Sequence, residues 1–282
     1  MACSSKFVHA TISFVPDVYS EPGKLDPAMA EQLVAALELR ARDPQQQAML
    51  AAYLDDIVLP EGARILEIGS GSGPISRALA TRPGVVEVVG VDPSPVFVAR
   101  ARELTASVPN VSFQQADGRD LPMPDTCFDA VVMHTLISHA ADPERVLLEA
   151  LRVLRPGGWL AVFDGDYNTI SVATGEADPL QACVMAWVGS FVNDPWVMRR
   201  LPALVTVSGF ADVRLRSHGY AEVFEPSYLL TIVDRGVDSL VAQGRVGAPL
   251  AEALKAEARR RVEARTFFGY IAYASVTARR PA

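Results

Sequence analysis

Three acidic side chains and one glycine-rich turn mark where this chain could do chemistry. The stretch "ILEIGSGSGP" sets Glu67 two residues before Gly69, which Gly71 and Gly73 follow. Asp92 closes the apolar run "VEVVGVD", and Asp117 closes "VSFQQAD". Glycines between a strand and a helix let the backbone approach a ligand closely, and the helix presents its free N–H groups there. A carboxylate ending the second strand accepts hydrogen bonds from ribose hydroxyls, which fits NAD and any other adenosine ligand alike. No Gly-Lys-Ser/Thr sequence closes the turn, which excludes a nucleoside-triphosphate loop. Glu67 would repel a pyrophosphate but suit an ammonium or sulfonium group. Asp117 is placed to accept from the exocyclic amine of adenine. With no phosphate-binding cation in these motifs, the pattern predicts an adenosine with a cationic, zwitterionic tail.

A second set of residues is suited to the acceptor side. His134 ends "FDAVVMH", and His139 lies in the turn before "DPERVLLEALRVL". Asp164, Asp166 and Tyr167 sit in "FDGDYN". His134 and His139 are candidate general bases. Asp166 and Tyr167 are candidates for orienting an acceptor, the tyrosine by stacking or hydrogen bonding. Four histidines without paired spacing and three scattered cysteines predict no metal site; Asp164 and Asp166 are the places where magnesium would bind if one existed.

The elements that must hold these residues alternate. Apolar runs at 64–69, 86–92, 111–117, 128–134 and 155–164 read as strands, with helices after the first, second and fourth. Asp142 and Pro143 mark a helix start, as do Asp26 with Pro27 and Asp43 with Pro44. This rhythm predicts an α/β fold with a doubly wound, mostly parallel sheet. Residues 167 to about 208 read as helical, "ADVRLRSHGYAEV" as a sixth strand, 226–265 as helices and "FFGYIAYASVTARR" as a last strand. The last two strands are expected antiparallel at one sheet edge, giving seven strands. The division is a helical lid over 1–60, a ligand-binding core over 61–165, and helical cap insertions with the final strands over 166–282 in the same domain. Within the lid, residues 17–56 are expected to close over the ligand, with Tyr19, Arg40 or Arg42 available for a carboxylate. Trp187, Phe191, Trp196, Tyr220, Phe224, Tyr228, Phe267 and Phe268 would build the cap core and an apolar acceptor pocket.

Together, "ILEIGSGSGP", "VVGVDPSP", "QQADGRDLPMPDTCFDAVVMH" and "EALRVLRPGGWLAVFD" resemble the ordered motifs of class I S-adenosylmethionine-dependent methyltransferases. They are most similar to the small-molecule group that includes the ubiquinone and menaquinone biosynthesis type. The resemblance covers roughly residues 50 to 165 and implies a Rossmann-like methyltransferase fold, with S-adenosylmethionine as cofactor and S-adenosylhomocysteine as product. It implies that Gly69, Ser70 and Gly71 border the methionine and sugar, and that Glu67 holds the amino end. Asp92 then takes the ribose diol, Pro93 and Ser94 line the adenine edge, and Ala116, Asp117 and Gly118 read the adenine. His134 and Thr135 lie near the sulfonium. Two other readings stand beside it. A non-methylating protein could keep the cofactor as a structural ligand or guide a pericyclic-type reaction. An NAD-dependent oxidoreductase calls for a Tyr-x-x-x-Lys pair, which the sequence lacks.

Composition narrows the partners. With 26 Lys and Arg against 33 Asp and Glu, the net charge of −7 disfavours nucleic acid. No apolar run reaches the length of a membrane span. The sparse cysteines fit a cytoplasmic, reducing compartment. The expected partner is a small-molecule acceptor, for a monomer or a homodimer.

Overall fold

A computed structural model describes residues 27–282. The proposed Asp26 cap and Tyr19 lie outside the described residues. Seven strands form one sheet: β1 (Ala63–Ile68), β2 (Val85–Asp92), β3 (Val111–Gln115), β4 (Phe128–His134), β5 (Leu154–Ser171), β6 (Ala211–Val223) and β7 (Phe268–Arg279). Their order is β3-β2-β1-β4-β5-β7-β6. The first five strands pair in parallel, and β7 runs antiparallel between β5 and β6. The order reverses between β1 and β4, which opens a crevice at the carboxyl ends of the strands.

Nine helices accompany the strands among the described residues: α1 (Pro27–Arg42), α2 (Pro44–Leu54), α3 (Pro74–Ala80), α4 (Pro95–Leu104), α5 (Pro143–Val153), α6 (Pro179–Phe191), α7 (Val197–Val207), α8 (Tyr228–Ala242) and α9 (Ala248–Glu263). Asp-Pro pairs start α2, α5 and α6, where the carboxylates of Asp43, Asp142 and Asp178 accept from first-turn N–H groups. None of the helices is long and apolar enough to cross a membrane.

Side-chain alternation divides the interior between the two faces of the sheet. Ile65, Val88, Ala130, Val132 and Phe163 pack with α2, α3, α6, α8 and α9. Leu66, Val91, Val131, Met133 and Val162 pack with α5 and α7. This parity also positions the site. Glu67 lies opposite Val132, and His134 is two residues further on, so both point to the α2 and α3 side.

The sequence reading needs two corrections here. β5 does not stop at Asp164: its pairing with β7 continues through Gly165–Tyr273 and Asp166–Ala272, then after a register shift to Ser171–Tyr270. Asp166 and Tyr167 are therefore strand residues rather than loop residues, and the boundary proposed at 165/166 falls inside a strand. The helical stretch begins at Pro179, not near 167.

The two N-terminal helices are fastened to the rest of the molecule. The Gln45 side chain exchanges hydrogen bonds with the Ala221 backbone at 2.8 and 3.2 Å, and Asp43 accepts from Tyr220 Oη at 3.2 Å. Glu38 of α1 accepts from Ser72 Oγ at 2.8 Å and pairs with Arg77 at 2.6 Å.

Candidate functional site

The glycine turn follows from left-handed backbone. Gly69, Gly71 and Gly73 have φ of 77°, 52° and 82°. A Cβ on Gly69 would lie 2.8 Å from Leu136 Cδ1, and one on Gly71 would lie 2.8 Å from Leu37 Cδ1. Both glycines thus sit in a conformation that favours glycine, with a leucine side chain close against each. Gly73 is the N-cap of α3 with Pro74 following, so that helix opens directly from the turn.

Beside the turn lies a cavity of ≈ 230 Å³, roofed by Leu37, Arg40, Ala41, Gln46, Gln47 and Leu50 of α1 and α2. Its floor brings together Glu67, Gly69, Ser70, Gly71, Asp92, Pro93, Ala116, Asp117, Gly118, His134, Thr135 and His139. Ser94 is fully buried and does not line it. Its hydroxyl accepts from Phe97 N–H, capping α4. Asp166 and Tyr167 are not in the lining either. Asp166 pairs with Arg199 at 2.8 Å, while buried Tyr167 lies edge-on to His139, ring centroids 6.4 Å apart. None of the eight aromatics proposed for the acceptor pocket reaches this cavity. Trp187, for example, is buried between Tyr167 and Phe191 in the cap core.

The acids hold the loops in place. Asp92 accepts from Gly71 N–H and Ser94 N–H, each at 2.9 Å. Burial nevertheless pushes its carboxyl up to about 6. Glu67, hydrogen-bonded by Ser76 Oγ, is pushed up to about 8, first by burial. Asp117 is gripped by the Arg119 guanidinium at 2.6 Å, which holds its carboxyl below the usual range. The expectation that the strand-end motifs bring no cation is corrected by Arg119, which lines the cavity, as does Arg40, one of the residues expected at the ligand. Arg119 is paired with Asp117, and Arg40 donates to Thr135 Oγ1 at 2.6 Å. Thr135 itself has φ 53°, a strained turn that takes the chain sharply off β4.

His134 is almost wholly buried, and its Nδ1 lies 3.0 Å from Tyr53 Oη. Burial, then the Arg40 charge, lower its pKa well below the ordinary histidine value, so the ring is neutral. Asp164, fully buried, accepts from Ser138 N–H at 2.9 Å and Gly165 N–H at 2.8 Å and does not line the cavity. Among the described residues no group of three or more His, Cys, Asp or Glu is placed to hold a metal.

Sequence reasoning missed Gln46, Leu50 and Tyr53. They belong to "PQQQAMLAAYL", where nothing in residue type or spacing sets them apart.

Comparison with known proteins adds to this geometry. Residues 66–162 match a family model described as a methyltransferase domain. The demethylmenaquinone methyltransferase of Thermus thermophilus is 41% identical over 102 residues, 36% of this chain and 46% of that protein. The 27-O-demethylrifamycin SV methyltransferase of Amycolatopsis mediterranei is 40% identical over 124 residues, 43% of this chain and 44% of the other. The chain thus spans under half the length of these two relatives. A structure of a methyltransferase-like protein from Bacillus halodurans superposes with a TM-score of 0.60 at 20% identity, covering 83% of this chain and 99% of the other, which establishes the shared fold.

Proposed function

We propose that the chain, whose residues 66–162 match a methyltransferase domain, is a class I S-adenosylmethionine-dependent methyltransferase that transfers a methyl group to a small-molecule acceptor. One observation carries this reading: a single cleft joins a glycine turn to Glu67, Asp92 and Asp117 at the ends of three neighbouring strands. The donor set suits S-adenosylmethionine. Asp92 retains lone pairs for a ribose diol beyond its two backbone contacts. Glu67 is a buried carboxyl that a nearby ammonium would ionise. Arg40 supplies a positive charge for a carboxylate at the roof. Gly69 and Gly71 leave room along the backbone.

When bound, the cofactor supplies an electrophilic methyl group on sulfur. The chain's own residues contribute positioning and exclusion of water, which can carry much of the rate in an in-line displacement. α1 and α2 cover the site, and Leu37, Leu50, Ile75 and Leu136 make the remaining wall apolar. That wall favours an uncharged or aromatic acceptor. The two methyltransferase relatives, named for a quinone and a rifamycin, support a small metabolite. The chain is proposed to work in the cytoplasm, as a monomer or a homodimer.

Calorimetry tests the cofactor assignment. S-adenosylmethionine and S-adenosylhomocysteine are expected to bind, and NAD is not; the reverse order of affinity would remove the reading. Released S-adenosylhomocysteine, assayed with a panel of phenols, quinols and amines, tests transfer. The two raised carboxyls also predict a pH dependence. The ligand cation favours ionised Glu67 and Asp92, so affinity is expected to rise between about pH 6 and about pH 8. Binding in that window should release protons, seen as heats that vary with buffer ionisation enthalpy. Stability without ligand runs the other way. The folded chain binds these two protons more tightly than the unfolded chain, so the stabilisation is complete below about pH 4 and is lost as pH rises to about 6 for Asp92 and to about 8 for Glu67. A melting temperature that climbs from pH 5 to pH 8 without ligand would contradict the assignment of these two carboxyls.

A further inference from the structure

We propose that His134, locked by Tyr53 as an Nε2–H hydrogen-bond donor beside the Arg40 charge, holds the oxygen of a phenol or enol acceptor as its anion. This rests on the methyltransferase reading and deepens it by naming an acceptor class and a positioning residue, Tyr53.

The first observation is the Tyr53–His134 contact of 3.0 Å. Tyr53 is fully buried on α2, and its only hydrogen-bond partner among the described residues is His134 Nδ1. A buried phenol must donate its proton, and this nitrogen is its acceptor. Nδ1 then carries no hydrogen, so a neutral ring has its proton on Nε2. The ring is also sterically fixed. It stacks on Phe163 with centroids 4.6 Å apart, and Tyr53 stacks on the same phenyl at 5.3 Å. Nε2 makes no hydrogen bond to a described residue, yet it is not among the sealed, unpartnered polar atoms, and His134 lines the cavity. The N–H therefore opens to the ligand space.

The second observation is the charge around the ring. The charged and titratable groups that act on the Tyr53–His134 pair are Arg40, Glu67 and Arg82. Arg40 adds a positive field at the imidazole, and Glu67 faces the proposed cofactor ammonium. An N–H donor beside a guanidinium stabilises an oxyanion. An imidazole whose free nitrogen already bears hydrogen cannot remove a proton. The acceptor's hydroxyl proton therefore leaves to solvent, and the bound form is phenolate or enolate.

The test uses the complex with S-adenosylhomocysteine. Histidine ¹⁵N spectra are expected to show His134 protonated on Nε2 and bare on Nδ1; the opposite tautomer would overturn the proposal without any variant. The second probe is 4-nitrophenol, whose anion absorbs visible light. Its bound ionisation is expected to shift to lower pH than in water. His134→Ala should weaken the bound anion by roughly 10- to 100-fold, as loss of a hydrogen bond to a charged group does. His134→Gln, which restores an N–H, should stay within about tenfold of the native protein. Tyr53→Phe should abolish the tautomer preference while leaving S-adenosylhomocysteine affinity unchanged. If 4-nitrophenol does not bind, or binds with an unshifted ionisation, the acceptor proposal falls. If S-adenosylhomocysteine itself does not bind, the cofactor reading falls instead.

Discussion

Replacing Asp92 by alanine is expected to weaken S-adenosylhomocysteine binding by about 100-fold or more. The carboxylate has two functions. It accepts the N–H groups of Gly71 and Ser94, which fixes the glycine turn against the start of α4. Its remaining lone pairs face the cavity, where a ribose diol would donate two hydrogen bonds. Hydrogen bonds to a charged group contribute about 1.5–3 kcal/mol each, so losing two costs at least ~3 kcal/mol, or about 100-fold. Asp92→Asn should fall between the native protein and alanine, because it keeps the volume and one acceptor oxygen but gives up the charge. Calorimetry on the three proteins measures this series. A loss of less than tenfold for Asp92→Ala would mean that the ribose is bound elsewhere. The same substitution should lower the Glu67 carboxyl, since the Asp92 charge helps raise it.

Most of this cofactor geometry is legible in the sequence because it is local. Glu67, the glycine turn, Asp92 and the 116–118 segment each lie at a strand end, and parallel β–α units bring successive strand ends together. The parallel pairing of β1 to β4 follows from the same rhythm. What escaped were the features created by long-range packing. Arg119 is two residues from Asp117, yet its pairing with that carboxylate has no sequence signature. Tyr53 meets His134 only because α2 is fastened to β6 through Gln45 and Asp43, a contact between segments far apart in the chain. The extension of β5 was hidden by "DGDYN", which reads as a turn. It is a strand because β7 supplies an antiparallel partner well past Asp164. The cap aromatics illustrate the same limit, since residue type alone does not tell a core aromatic from one that faces a ligand.

The cap depends on one close helix crossing, and Gly236→Ala is expected to break it. A Cβ at Gly236 of α8 would stand 1.9 Å from the carbonyl oxygen of Cys183 on α6 and 2.5 Å from its carbonyl carbon. That obstacle is helix backbone, which has no rotamer to change. The two helices would have to separate by more than 1 Å at the crossing, opening contacts among Cys183, Val184, Ile232 and Val233, all of them buried. Overpacking of a core costs typically 1–3 kcal/mol and sometimes more, and a rigid backbone clash belongs at the upper end. The gain from alanine's helix propensity, about 1 kcal/mol, does not offset it. We expect a net loss of roughly 2 kcal/mol or more, read as a fall in melting temperature of about 4 °C or more. Gly189 supplies the control. It lies on α6 itself, but a Cβ there meets nothing within 4 Å. Gly189→Ala should therefore be neutral or stabilising by up to about 1 kcal/mol. Neither glycine lines the cavity, so the folded fraction of both variants should bind S-adenosylhomocysteine like the native protein. Equal melting temperatures for the two variants would show that α6 and α8 do not approach this closely.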